Sequence, residues 1–156
     1  MDTNLLVLKR VFEGVGVDVG LSDVADRKEK QKVVYLLQAS GVDLGYQHGW
    51  YLMGPYSPPL TRDYYALHER QNEDDGRQLS SFVTEGVSKV RKLIGHTAKP
   101  QQLSRASWLE LLASWHYLLH VSKQDKASAT RTMEQKKGHL APFIPKAEAA
   151  LADVYG

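Results

Sequence analysis

Two histidines in one apolar segment are the residues whose spacing could support metal chemistry. His116 and His120 stand four positions apart, so on a helix they would point the same way and could bind one ion. The segment lacks the Glu beside the first His that the HExxH motif requires, and no third ligand follows. Residues 107–122 are also apolar on nearly every face, which is typical of a buried helix. We therefore predict packing roles for both histidines, with no metal and no cofactor.

Candidate nucleophiles and acid–base groups are equally scarce. The chain has no cysteine, which excludes disulfides, thiolate metal sites and a cysteine nucleophile. It has no G-x-S-x-G elbow, and the glycines at 14–20 lack the G-x-G-x-x-G spacing of a phosphate-binding loop. Its clustered carboxylates fall on a predicted helix face at Asp63 and in a solvated loop at 73–75. These observations predict that the protein is not an enzyme.

Basic residues form two separate groups that could contact the phosphates of a nucleic acid. The first is Lys28 and Lys32, which share a helical face, and the second is Lys126, Arg131, Lys136 and Lys137. The net charge differs between the two halves of the chain: residues 1–75 hold 8 Lys and Arg against 12 Asp and Glu, whereas residues 76–156 hold 12 against 6. Solvated helix faces, or attraction between the two halves of the fold, are the alternative explanation.

A third group consists of aromatic residues around a proline-rich turn. The segment from Gly49 to Leu60 reads GWYLMGPYSPPL. Aromatic side chains with a polar edge are common at protein interfaces. We name Trp50, Tyr51, Tyr56 and Tyr64 as candidate partner-binding residues. The alternative is that they pack a strand onto the next helix.

Hydrophobic periodicity supplies the elements that would position these residues. Helical patterns cover 4–13, 26–39, 59–70, 79–94, 107–122 and 126–137, followed by a short Ala-rich end at 145–154. Alternation predicts a strand within 44–53, a turn at 54–56, and a helix capped by Ser57 with Pro58 in its first turn. We predict a mainly α, compact single domain, residues 1–156, of about six helices with a small strand or hairpin. The acidic loop 71–77 is a candidate sub-boundary, and a winged-helix arrangement is one option.

The chain carries no pattern typical of membrane insertion or export. No stretch approaches the roughly 20 apolar residues that a spanning helix needs. The first residues, with Asp2 and then Lys9 and Arg10, do not read as a signal peptide. Together with the absence of cysteine, this predicts a cytoplasmic protein without membrane contact.

One segment resembles a known group of proteins. The helix QKVVYLLQ at 31–38 is followed by Gly41, Tyr46 and the GPYSPPL run ending at Leu60. Over residues 28–68 this order is similar to Panacea-type antitoxins and related phage-associated small proteins. The resemblance implies a largely helical fold that binds a toxin or another component of its system.

The residue patterns and this resemblance together lead to a functional prediction. We predict a non-enzymatic protein-interaction module of antitoxin or phage-defence type, with homo-oligomerisation open. The alternative is a winged-helix DNA-binding transcriptional regulator.

Overall fold

The computed structural model describes residues 1–96 and 103–156, which form seven α-helices and one antiparallel β-hairpin. The helices are α1 (Thr3–Val15), α2 (Val24–Ala39), α3 (Pro58–Glu69), α4 (Ser81–Gly95), α5 (Arg105–His120), α6 (Lys126–Lys136) and α7 (Ile144–Tyr155). The hairpin strands are β1 (Gly49–Tyr51) and β2 (Gly54–Tyr56). The prediction of a mainly helical domain with a small β element is confirmed. No helix in these two ranges is long and apolar enough to cross a bilayer.

Local side-chain caps determine where six of the helices begin. In each case an Asp or Ser side chain accepts a hydrogen bond from a backbone N–H of the first turn, which otherwise has no partner in the helix. The capping residues are Asp2, Asp23, Ser57, Ser80, Ser104 and Asp125. The predicted cap at Ser57, with Pro58 in the first turn of α3, is confirmed.

Helix α5 lies at the centre of the fold. Its apolar residues Leu109, Leu112 and Trp115 are at most 2% exposed, as expected for a helix that is hydrophobic on nearly every face. Helix α2 packs along it. The Trp108 indole donates a 2.9 Å hydrogen bond to the Leu93 carbonyl of α4, and Tyr155 OH of α7 donates one of 2.5 Å to the Leu36 carbonyl of α2. The helices around α5 are therefore also joined by polar contacts.

The β-hairpin differs from the prediction in where it turns. Trp50 pairs with Pro55 and Tyr51 pairs with Gly54, so the turn residues are Leu52 and Met53. The predicted turn at 54–56 is wrong, because that segment is the second strand. Gly54 has φ +88°, the left-handed conformation that follows a tight hairpin turn, and Pro55 is tolerated because a two-stranded sheet consists of edge strands.

The acidic loop at 71–77 is bound to α1. The Arg10 guanidinium donates to both carboxylate oxygens of Asp74, at 2.9 and 2.5 Å, and its Nε donates to the Arg77 carbonyl. Lys9 Nζ donates to the carbonyls of Gln71 and Glu73. The hydrogen bond from Arg10 lowers the pKa of Asp74 well below its usual range. The segment predicted as a sub-boundary is thus held against the first helix.

Candidate anion-binding groove

A groove of about 320 Å³ lies between the first half of α2, the hairpin and α3. Helix α2 supplies its charged side chains, and the hairpin and α3 supply its aromatic ones. Its lining consists of Val24, Arg27, Lys28, Gln31, Lys32, Met53, Tyr56, Thr61, Tyr64 and Tyr65. Cationic groups beside aromatic rings suit a ligand that is both planar and anionic.

A buried carboxylate lies next to the groove, and each of its two oxygens accepts a hydrogen bond from a lysine. Glu110 of α5 is 4% exposed; its Oε1 accepts a 2.8 Å hydrogen bond from Lys28 Nζ, and its Oε2 accepts one of 2.7 Å from Lys137 Nζ. Burial by itself would raise the pKa of Glu110, but the hydrogen bonds and charges of the two lysines outweigh it and lower the pKa. Glu110 therefore stays ionised and is poorly suited to accept a proton from a substrate.

A third lysine adds to the positive charge of this cluster. Lys32 is 1% exposed, and its Nζ donates a 2.5 Å hydrogen bond to the Pro55 carbonyl. Burial lowers its pKa to about 7; Glu110 acts against this shift, while Lys137 and Lys28 add to it. One carboxylate thus lies among three lysines, and Arg27 adds a further positive charge to the lining. Such an excess favours the binding of an anion, which would relieve the repulsion.

A polar network joins α2 to the start of α3 along the groove. The Gln31 amide donates to the Ser57 carbonyl at 3.0 Å and accepts from the Ser57 N–H at 2.8 Å. Its NH₂ group also donates to Thr61 Oγ1 at 2.9 Å, and Thr61 Oγ1 donates a 2.6 Å hydrogen bond to Tyr56 OH. These bonds hold the Tyr56 ring in one orientation at the edge of the groove.

The hairpin beside the groove is anchored on helix α5 and the end of α6. Lys137 Nζ donates a 2.7 Å hydrogen bond to the Leu52 carbonyl and lies 5.5 Å from the centre of the Trp50 ring. At Gly54 the backbone approaches α5 so closely that a Cβ there would lie 2.4 Å from Ser114 Oγ. The turn is therefore attached to α5 and to Lys137 at the end of α6.

The predicted partner-binding residues lie in different environments in the structure. Tyr51 is 48% exposed, whereas Tyr56 lines the groove and Trp50 packs on Tyr117 at 5.7 Å between ring centres. The prediction for Tyr64 needs correction, because this side chain is 2% exposed. It lies four residues after Leu60, on the inward face of α3, and supports the groove wall from within.

The structure arranges the predicted phosphate-binding residues differently from the two groups in the sequence. Lys28, Lys32 and Lys137, which the sequence places in two groups, meet around Glu110. Lys137, which the sequence analysis names as a candidate phosphate contact, is 2% exposed and is hydrogen-bonded to Glu110. The remaining residues, Lys126, Arg131 and Lys136, are exposed along α6 and do not line the groove.

Sequence reasoning missed three residues that complete this site: Gln31, Thr61 and Glu110. Gln31 and Thr61 carry no local signal, because each is an ordinary polar residue in an amphipathic helix. Glu110 does carry one: it is the acidic residue inside the otherwise apolar run of 107–122. A charge within a buried helix requires a charged partner.

His116 of α5 borders a second cavity of about 400 Å³, lined by Tyr35, Gln38, Ala39, Tyr46, Gln47, His48, His116, Tyr117 and Val121. His116 Nδ1 lies 2.7 Å from Tyr35 OH, and the His116 and His120 ring centres are 4.4 Å apart. Burial lowers the pKa of His48 and of His116 to about 4, so both are neutral at pH 7. Within residues 1–96 and 103–156, no three His, Asp or Glu side chains converge as metal ligands.

Comparison with known proteins finds one informative relative. No protein-family model matches the chain, and no solved structure matches it. The chain is 30% identical over 129 residues to a DNA ADP-ribosyl glycohydrolase of Thermus aquaticus. The alignment covers 82% of this chain and 30% of that protein, so the chain spans less than a third of the relative's length.

This similarity corrects the functional predictions. A non-enzymatic interaction module of antitoxin or phage-defence type is contradicted, because the relative is named as an enzyme. The prediction that the chain is not an enzyme is contradicted for the same reason. The alternative prediction, a transcriptional regulator, gains no support from this similarity. Over most of its own length, the chain is similar to part of a DNA ADP-ribosyl glycohydrolase.

Proposed function

We propose that this chain is a substrate-binding domain of a DNA ADP-ribosyl glycohydrolase, and that the groove binds the ADP-ribosylated nucleotide. The observation that carries the proposal is the excess of cations, Lys28, Lys32 and Lys137 against Glu110, next to an aromatic groove. The substrate class comes from the name of the similar protein. The groove chemistry matches that class independently.

The groove residues complement the parts of such a substrate. An ADP-ribosyl group carries two linked phosphates, which a guanidinium such as Arg27 binds with paired hydrogen bonds and an ammonium such as Lys28 attracts as a point charge. The rings of Tyr56 and Tyr65 offer faces on which a base can stack. The volume of about 320 Å³ is at the lower end of the range for small-ligand sites.

The geometry supports substrate binding more directly than bond cleavage. Hydrolysis of a glycosidic bond uses carboxyl groups that donate a proton or activate water. Both oxygens of Glu110 are already occupied by lysines, and its pKa is lowered. We therefore assign the groove to recognition of the nucleotide within the enzyme.

Titration of labelled oligonucleotides, with and without one ADP-ribosylated base, tests this assignment by fluorescence anisotropy. The wild-type chain should bind the modified strand more tightly, and binding should weaken as salt rises. Lys28→Gln should weaken it roughly tenfold, because a charge-assisted hydrogen bond to phosphate is lost. The matched control is Lys136→Gln, which removes the same charge from exposed α6. No binding by wild type, or equal losses in both variants, would overturn the assignment.

Two further predictions from the sequence remain proposals. A protein partner is supported by the half-exposed ring of Tyr51, since accessible aromatic residues are common at interfaces. Affinity purification from the native host tests it: Tyr51→Ala should release a partner that Lys136→Gln retains, and recovery of the same proteins with both variants would contradict it. A cytoplasmic location is supported by the absence of cysteine.

A further inference from the structure

Exposed apolar side chains are concentrated at the groove and its hairpin. Among the described residues, the large hydrophobic side chains with high exposure are Val24, Tyr51, Leu52, Met53, Tyr65, Phe82 and Val121. Three of them, Val24, Met53 and Tyr65, line the groove, and Tyr51 and Leu52 directly precede Met53 on the hairpin. Single exposed hydrophobic residues need no explanation, but a cluster of this kind marks a contact surface.

The turn of the hairpin does not need its apolar residues. Leu52 and Met53 occupy the two turn positions, where polar residues and glycine are usual, and Leu52 is 87% exposed. Gly54 already supplies the positive φ that closes the turn. The Leu52 side chain therefore contributes little to the folded chain, and its apolar character points to a contact outside it.

The tip, defined as Leu52 and Met53, is also rigidly mounted. Lys137 holds the Leu52 carbonyl at 2.7 Å, and Lys32 holds the Pro55 carbonyl at 2.5 Å. At Gly54 the close approach to Ser114 leaves no space for the backbone to sink toward α5. A side chain that must separate two stacked groups requires such a support.

We propose that the tip is a wedge that inserts between the bases next to the ADP-ribosylated nucleotide, with Tyr65, which lines the groove, receiving the unstacked base. The proposal rests on the proposed function. Enzymes that act on a base must take it out of the stack, and apolar side chains are used to fill the gap between base steps.

Charge favours a nucleic acid over a protein as the occupant. Met53 lines the same groove as Arg27 and Lys28, and Lys32 and Lys137 lie directly behind the hairpin. Lys32 and Lys137 are buried and already hydrogen-bonded, so a molecule that covers the tip meets the positive charges of Arg27 and Lys28 in the lining. A DNA strand offers regularly spaced phosphates together with planar apolar surfaces, which matches both properties of this face.

The experiment uses an oligonucleotide that carries 2-aminopurine beside one ADP-ribosylated base. Unstacking raises 2-aminopurine fluorescence, so binding of the wild-type chain should increase the signal several-fold. Leu52→Asn, which suits a turn position, should remove most of this increase while weakening binding only modestly. The matched control is Phe82→Asn, which replaces a hydrophobic residue that is 62% exposed on α4 and should leave the signal unchanged. Circular dichroism establishes that both variants are folded.

The outcomes separate the two proposals. If the wild-type chain does not bind the oligonucleotide, the proposed function fails and the wedge fails with it. If the chain binds but 2-aminopurine stays quenched, or if Leu52→Asn brightens it as the wild type does, the wedge is overturned and the proposed function stands. Loss of a co-purifying protein in Leu52→Asn, with the fluorescence increase intact, would overturn the wedge in favour of protein docking.

Discussion

Lys137 donates a 2.7 Å hydrogen bond to Glu110, and the two residues are 2% and 4% exposed. This pair joins the end of α6 to α5, and Lys28 extends it to α2. A buried ion pair adds little net stability, because desolvation offsets its attraction, but removing one partner leaves the other charge uncompensated. The pair therefore makes three helices and the hairpin dependent on one carboxylate.

Replacing Glu110 by Gln should destabilise the fold by about 3–5 kcal/mol, because Lys28, Lys32 and Lys137 would then lack a nearby negative charge. Urea unfolding at neutral pH measures the change. Glu85→Gln, at an exposed position of α4, is the control and should shift stability by less than about 0.5 kcal/mol. Similar effects of the two substitutions would show that the buried cluster contributes nothing special.

Lys32 should make stability increase with pH above neutrality. Its pKa is lowered by burial from 10.5 to about 7. Between these values the unfolded chain binds a proton that the folded chain does not, so the free energy of unfolding rises with pH. Lys32→Met should reduce the gain between pH 7 and 10 by a few kcal/mol, measured by urea unfolding at both pH values. Exposed Lys146→Met should leave the gain unchanged, and an equally steep gain in Lys32→Met would contradict this origin.

Binding of an anionic nucleotide should be coupled to proton uptake. A phosphate near Lys32 would favour its charged form and raise its pKa above about 7. Calorimetric titration near pH 8 in two buffers with different ionisation enthalpies would then give different heats. The difference should vanish in Lys32→Met, and identical heats for the wild type would exclude the coupling.

Gly54 and Gly45 allow the cost of strain to be separated from the cost of a clash. Their φ values are +88° and +85°, but a Cβ at Gly54 would lie 2.4 Å from Ser114 Oγ, whereas at Gly45 it would have no neighbour within 4 Å among the described residues. Gly45→Ala should cost about 1–2 kcal/mol from the left-handed backbone alone. Gly54→Ala should cost at least about 1 kcal/mol more, since overpacking is added.

A second substitution tests the cause of that extra cost. Ser114→Ala removes the clashing oxygen and should recover part of the stability lost in Gly54→Ala. It should recover none of the stability lost in Gly45→Ala. Purely additive effects at Gly54 and Ser114 in thermal or urea unfolding would show that the contact is not responsible.

The buried histidines should weaken the fold in acid. Burial lowers the pKa of His48 and His116 from 6.5 to about 4, so between these pH values the unfolded chain takes up protons that the folded chain excludes. Stability therefore falls as pH drops through this window. His116→Gln should retain a larger share of its neutral-pH stability at about pH 4.5 than the wild type does. Exposed His139→Gln is the control, and equal acid sensitivity in all three proteins would refute this contribution.

The sequence predicted best what is decided locally. Ser57 and Pro58 begin α3 because capping needs only neighbouring backbone groups. The hairpin turn was misplaced because the role of Gly54 depends on Ser114, a residue of another element. Tyr64 shows the two kinds of argument in conflict: helical spacing from Leu60 put it on the buried face, and that spacing outweighs the tendency of aromatic residues to occur at interfaces.

The groove could be predicted only in part. Lys28 and Lys32 share a helical face, which is visible in the sequence. Lys137 joins them only because α6 ends beside α5, which no pattern within α6 indicates. The ligand could not be predicted from the residue patterns, because cationic and aromatic side chains suit several classes of ligand. The substrate class came from similarity to a named enzyme.

The contact between Arg10 and Asp74 has a practical consequence for engineering. An exposed acidic loop is ordinarily a natural place to insert a reporter or to open the chain for circular permutation. Here the middle of that loop is tied to α1 by a paired guanidinium–carboxylate contact, with Lys9 holding the backbone on the N-terminal side of Asp74. An insertion between 71 and 77 would disrupt these attachments, so this segment is a poorer insertion site than its composition suggests.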